Sequence, residues 1–196
     1  MNGKFAMRSD VSFVSLHDAS TSWEDPNAIS IGYFAKNGTV RLDAKTIEEI
    51  KMMALETGEN VRLSMHQSPE ADFHEMIIFQ HRDKYYRPKK HVDKAKSFHM
   101  IEGEMAVFVF EDDGSVRDAC ILDGQNSKIY RVDANLYHTD LPLTDFVIHH
   151  ESTLGPYLFN SDRIFAPWSP DGKDTETYLK FRDHLVSILE QQTGLQ

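Results

Sequence analysis

Seven cationic side chains crowd into one short stretch of an otherwise acidic chain: Arg82, Lys84, Arg87, Lys89, Lys90, Lys94 and Lys96. The whole sequence carries 21 Lys and Arg against 31 Asp and Glu, a net charge of −10, so this run is the one compact place where negative charge is invited. Ammonium and guanidinium groups hold carboxylate and phosphate well once partly desolvated. Ten histidines add groups that titrate near neutrality and can ligate metal. His91 lies within the basic run and His138 follows Leu136-Tyr137. His149 and His150 are adjacent, so on a strand they must face opposite sides. His66, His74, His81 and His99 are scattered over other segments.

Other chemistries have little support. Cys120 sits in Asp118-Ala119-Cys120-Ile121-Leu122 and reads as a structural thiol. There is no Gly-x-Ser-x-Gly elbow, no phosphate-binding glycine loop and no Cys-x-x-Cys. The acidic residues ending in Asp112-Asp113-Gly114 read as a solvated hairpin. The negative surface disfavours nucleic acid and anionic lipid, so neither is an expected partner. No apolar run approaches the roughly 20 residues of a membrane helix. Met1 to Ser22 lacks the apolar core of a signal peptide, and a single cysteine suits a reducing compartment, so the expected location is cytoplasmic.

The elements that must position these groups follow from periodicity. At 196 residues and 40% hydrophobic content the chain has room for one core and a terminal extension. Residues 1–28 read as irregular. Alternation at Ile29, Ile31 and Tyr33 with Asn37-Gly38 predicts a hairpin of residues 29–35 and 39–43. A helix follows, capped by Asp43, with a Thr46-x-x-Glu49 capping box and Gly58 as its stop. Strands are expected near 61–66, 74–81, 84–88, 97–101, 104–110, 115–122, 127–132 and 145–151. Met105 to Phe110 is apolar on both faces, so its outer face needs a sheet, a helix or a second subunit over it. A helix of about 175–193 ends the chain, with Tyr178, Phe181, Leu185, Ile188 and Leu189 on one side and Gly194 as its stop. The division is an N-terminal extension (1–60), a β-barrel (61–172) and a C-terminal helix (173–196).

Several blocks resemble the WbuC-type cupins found among bacterial surface-polysaccharide genes. They are Arg62-Leu63-Ser64-Met65-His66, Tyr86-Arg87-Pro88, Ser97-Phe98-His99-Met100-Ile101-Glu102-Gly103, Phe108-Val109-Phe110-Glu111-Asp112-Asp113-Gly114, Tyr137-His138-Thr139, Gly155-Pro156-Tyr157 and Phe165-Ala166-Pro167-Trp168-Ser169-Pro170. The resemblance covers about residues 40 to 171. It implies a mostly β fold, a cupin-type jelly-roll β-barrel, here with an N-terminal strand and helix extension and a C-terminal helix. In such cupins one motif supplies two histidines and a glutamate and a second supplies a histidine, all to one metal. By alignment with those motifs Lys89 and Lys96 stand at two of the ligand places, while His91 and His138 keep the ligand type.

Three functions remain open on this reading. The first is a pocket for a small anionic, saccharide-derived molecule, with Lys89, Lys96, Arg87 and Tyr137 as binding residues. By analogy with metal-free cupins of sugar-nucleotide epimerisation, His91 or His138 is its base and Tyr137 or Tyr130 its acid. The second is a weak divalent transition-metal site on His91, His138 and one recruited histidine or Glu151; otherwise no cofactor is expected. The third is a non-catalytic structural or regulatory protein. Whether the chain is an enzyme stays open. Phe165 to Pro170 reads as a strap closing the barrel, with Trp168 as a lid over a saccharide in the alternative. A homodimer is expected from the apolar outer faces.

Overall fold

The computed structural model describes residues 13–158 and 163–193. Residues 1–12 of the expected irregular lead, and the Gly194 stop, lie outside them; within the rest of that lead, Ser22–Glu24 forms a strand rather than irregular chain.

Local chemistry sets the first elements. The Asp43 carboxylate accepts the Thr46 N–H at 3.0 Å and starts α1 (Ala44–Thr57), and Gly58 ends it at φ 69°, donating to the Ala54 carbonyl. The predicted capping box does not form, because Asp43 already takes that donor. Thr46 donates instead to the Val14 carbonyl at 2.6 Å, and Glu49 accepts the Leu16 N–H at 2.9 Å, so both tie the lead segment to the helix. The predicted Asn37-Gly38 hairpin is likewise corrected. β2 (Ile31–Ala35) pairs antiparallel with the upstream β1 (Ser22–Glu24) and parallel with β3 (Val61–Ser64). A parallel pair needs a crossover, and α1 is that crossover.

From here eight strands form nested antiparallel pairs. β4 (Phe73–His81) pairs with β11 (Phe146–Leu154), and β5 (Lys89–Lys90) with β10 (Tyr137–Pro142). β6 (Lys96–Glu102) pairs with β9 (Ile129–Val132), and β7 (Met105–Phe110) with β8 (Val116–Leu122). This long rolled hairpin drops successive pairs alternately into two sheets, ordered β1-β2-β3-β4-β11-β6-β9 and β12-β5-β10-β7-β8, where β12 is Ile164–Phe165. The result is the expected cupin-type jelly roll. Among the described residues its strands make two facing sheets rather than one closed barrel. Gly103 makes the β6–β7 turn at φ +87°, where an added Cβ would lie 2.6 Å from the Phe146 carbonyl oxygen.

Two strand predictions need correction. The stretch 84–88 is irregular, anchored by the Tyr85 hydroxyl on the Pro170 carbonyl and the Tyr86 hydroxyl on the His81 carbonyl, both at 2.9 Å. The fully buried β10 was not expected, because Asp140 and Pro142 are poor strand formers.

The packing is four-layered. α1 puts Ile50 and Ala54 against Val61, Leu63, Ile77 and Phe79 on the outer face of the larger sheet. Between the sheets Phe98, Met100 and Val147 meet Met105, Val107, Val109 and Leu122. On the far side Ala106, Phe108, Phe110, Tyr137 and Leu141 are covered by Leu185 and Leu189 of α2 (Thr175–Thr193). The apolar outer face that suggested a dimer is therefore occupied by the chain's own helix. Leu185 is 3% exposed in this layer. Leu185→Ala is expected to lower the unfolding free energy by about 2–4 kcal/mol in denaturant melts. A loss below about 0.5 kcal/mol, typical of a surface substitution, would mean that α2 is not docked there.

Candidate functional site

Strand alternation turns a set of polar residues inward. On the smaller sheet His138 is the register partner of Lys89 on one side and Val109 on the other, and Asp140 partners Val107. Val107 and Val109 belong to the inter-sheet core, so Lys89, His138 and Asp140 share its face. On the larger sheet Lys96 alternates with Phe98 and Met100, Glu151 partners Phe98, and His149 partners Met100. Gln80 bridges the two sheets, donating to the Asp140 carboxylate at 2.5 Å.

The centre of the cluster is an ion pair. Lys96 Nζ lies 3.1 Å from Glu151 Oε1, with the side chains only 6% and 12% exposed. Burial works to raise the Glu151 carboxyl and is the largest influence on it. The nearby Lys96, His149 and Lys89, with the hydrogen bond from Lys96, outweigh burial and bring the carboxyl down to about 2. Lys89 has no ion pair among the described residues. Burial first, and the adjacent Lys96 charge second, push its amine below the usual lysine value.

Two buried imidazoles, His138 and His149, are held toward the neutral form and are incompletely bonded. His138 Nδ1 donates to the Leu136 carbonyl at 2.9 Å, which leaves the Nε2 lone pair facing inward without a protein partner. Burial, then the Lys96 charge, lowers His138 to about 3. His149 is fully buried with both ring nitrogens unpartnered, and burial lowers it as well. The His91 ring lies 6.1 Å from that of His138. His150 faces the other way, 3.5 Å from Glu75, and His99 is exposed.

Two expected binding residues are placed elsewhere. Arg87 Nε donates to Ser169 Oγ at 3.1 Å, its Nη2 donates to the Ala166 carbonyl at 3.3 Å, and the guanidinium stacks over Phe165. Tyr137 faces outward, its ring 5.9 Å from Trp168 and under Lys90 Nζ at 4.5 Å. The outward position of Tyr137 follows from alternation, since it precedes the inward His138. Trp168 packs on Phe110 at 4.9 Å and donates to the Asp112 carbonyl at 3.1 Å, so it belongs to the outer layer and is no lid. The segment around it is the strap, with β12 paired to β5 and Ala166 N–H bonded to the Pro88 carbonyl at 2.9 Å. It therefore pins the short strand that carries Lys89. The Tyr130 hydroxyl donates to the Asp118 carboxylate. Cys120 is partly buried, its Sγ 3.3 Å from Ser127 Oγ.

The donor set does not suit a cupin metal. Two ammonium-bearing residues stand on the inward faces, and among the described residues no three His, Cys, Asp or Glu side chains converge as ligands. Lone pairs on amines of reference pKa near 10.4 are scarce at neutral pH. Sequence reasoning missed Asp140, Gln80 and Ser64 and named Glu151 only as a metal ligand. The inward parity of Glu151 with Lys96 depends on pairing that no local motif encodes.

A family model described as "Domain of unknown function (DUF6016)" matches residues 42–122. No curated protein matches the sequence significantly. Solved structures with a partial likeness include CapF with an inhibitor, at 12% identity and TM-score 0.46, covering 53% of this chain and 30% of that one. Another is the Schizosaccharomyces pombe Cnp3 cupin domain, at 13% identity and TM-score 0.39, covering 48% and 60%. A third is Cellulomonas parahominis L-ribose isomerase with L-psicose, at 13% identity and TM-score 0.45, covering 57% and 70%. This chain thus spans under a third of the CapF chain, and no activity is carried over from any of the three.

The ion pair and the buried imidazole make two predictions. Glu151→Gln strands a buried ammonium and is expected to lower the unfolding free energy by about 3 kcal/mol; a loss under about 1 kcal/mol would place the pair in solvent. The second concerns acid. The depressed Glu151 stabilises the fold above the ordinary value of 4.5, and this contribution is lost as pH falls toward about 2. His138 stays neutral in the folded chain down to about 3 but takes up a proton from about 6.5 in the unfolded one. The unfolded state binds more protons in both windows, so stability must fall as pH drops below 6.5. His138→Gln should flatten the fall between pH 6 and pH 5, where Glu151 contributes little, and an unchanged slope would show that His138 titrates normally.

Proposed function

We propose that the space between the two sheets binds a small anionic, sugar-derived molecule. The observation that carries this reading is a set of buried side-chain atoms without protein partners: Arg62 Nε, Ser64 Oγ, Gln80 Oε1, His138 Nε2 and both ring nitrogens of His149. Arg62 and Ser64 alternate with Val61 and Leu63, which lie under α1, so they too face inward. Leaving a buried polar atom unpaired costs about 1–3 kcal/mol. Such atoms are ordinarily satisfied by protein, water or ligand. Their concentration on the inward faces is what a hydroxyl-rich guest requires.

Lys89 and Lys96 supply cationic donors for an acidic group on that guest. Glu151 occupies one contact of Lys96, and an ammonium has three donors. His138, its tautomer set by Leu136, presents an unpartnered lone pair that can accept a hydrogen bond from a hydroxyl of the guest, with the His91 ring nearby. The sugar class also agrees with the resemblance to WbuC-type cupins.

A thermal-shift series with D-glucuronate, sugar phosphates and nucleotide sugars tests this. A ligand at a hundred times its Kd stabilises by about 2.7 kcal/mol. That stabilisation is expected to disappear in Lys89→Ala and Lys96→Ala. Equal stabilisation of the wild type and both variants would refute the site.

A further inference from the structure

We infer that the cleft between α2 and the β4–β5 connection binds a zwitterionic α-amino acid, its carboxylate held by Arg82 and Arg182 and its ammonium by Asp83 and Asp145. These four residues and His81 line the cleft, and none of them belongs to the inward-facing cluster between the sheets.

Local structure brings the four charges together. The Lys84 N–H closes a turn on the His81 carbonyl at 3.4 Å, with Arg82 and Asp83 at its tip. The Arg82 N–H donates to the Asp145 carbonyl at 3.0 Å, which joins that turn to the β10–β11 connection. α2 is tied to the same segment by the Tyr85–Tyr178 ring stack, with centroids 5.0 Å apart, and by Arg182 Nη1, which donates to the Arg82 carbonyl at 3.3 Å. The space left between them is an open cleft of about 350 Å³. Small-molecule sites occupy roughly 300–1,000 Å³.

The charges are near one another without neutralising one another. Among the described residues, neither arginine and neither aspartate has an ion pair. Burial first, and the Arg82 charge second, disfavour the Arg182 cation, while Asp183, Tyr178 and Asp83 favour it. Arg182 Nε is shut off from solvent and Nη1 is bonded, so the guanidinium is fixed, with Nη2 left as its donor. A head group already fixed loses little freedom when a ligand binds. Two neighbouring guanidiniums suit a carboxylate, because each bond to it is charge-assisted.

The aspartates decide the rest of the ligand. A bare anion such as phosphate would meet Asp83 and Asp145 in the same cleft, and the field of a chain of net charge −10 around it. An α-amino acid with an uncharged side chain carries no net charge, and its ammonium offers three donors to those carboxylates. His81 Nε2 donates to the Ala54 carbonyl at 3.1 Å, which leaves Nδ1 as a further acceptor in the neutral ring.

Titration calorimetry of the full chain with each of the uncharged L-amino acids tests the inference. At least one is expected to bind. Its N-acetyl derivative and its amide, which each lack one charge, are expected to bind about tenfold more weakly or worse, the factor set by losing a hydrogen bond to a charged group. Arg82→Gln and Asp145→Asn should each weaken the free amino acid by about the same factor. Both residues are exposed, so the fold is retained, which a circular-dichroism melt checks. Binding of no amino acid overturns the inference. Binding that survives both substitutions also overturns it, because the ligand then sits elsewhere. Inorganic phosphate or the N-acetyl derivative binding as well as the free amino acid would make the cleft a plain anion site and overturn the zwitterion assignment.

Discussion

A lysine and a glutamate, paired at 3.1 Å with their side chains only 6% and 12% exposed, set the terms for this fold. Two charges taken out of solvent gain little net stability, because desolvation offsets most of their attraction. A purely structural jelly roll would fill their place with apolar side chains, as this one does only a few residues away, where Phe98 and Met100 meet Met105 and Val107. The charges instead sit among neutral imidazoles and unpartnered polar atoms. Each member makes the next tolerable. Glu151 balances Lys96, and Lys96 and Lys89 in turn hold Glu151 ionised against its burial. The same cations, with burial, keep His138 neutral.

The architecture explains how such a cluster is held. In the rolled hairpin, residues far apart in sequence become neighbours: β5 and β10 bring Lys89 to His138, and β6 and β11 bring Lys96 to Glu151. Apolar layers under α1 and α2 flank the sandwich on both outer faces, so the interior can carry a polar load. The strap after β12 locks β5, which at two residues is too short to define its own register.

The sequence revealed the fold well wherever the information was local. Asp43 and Gly58 bracketed α1, and turn formers at Gly103, Asp112-Asp113-Gly114 and Asp123-Gly124 separated strands where the structure has them. It failed where tertiary contact overrides propensity. β10 is a strand despite Asp140 and Pro142, because both of its neighbours complete its ladder. The Asn37-Gly38 turn signal lost to a parallel β2–β3 pairing imposed by the α1 crossover. At the site, motif alignment singled out Lys89, His91, Lys96 and His138, which the structure brings to one region. It did not find the carboxylates, since the inward parity of Glu151 and Asp140 depends on registers between distant strands. The expected cationic wall is consequently closer to charge balance, with two lysines facing two acidic residues.

The central claim is that the polar interior is kept for a ligand and not for stability. The most direct test is the unfolding free energy of the joint replacement Lys96→Met with Glu151→Leu, measured by denaturant titration. If the pair serves binding, the apolar double variant should be as stable as the wild type or gain up to about 4 kcal/mol. A loss of 3 kcal/mol or more, about that expected from breaking the pair at one end, would show that the ion pair holds the fold together and would contradict the account.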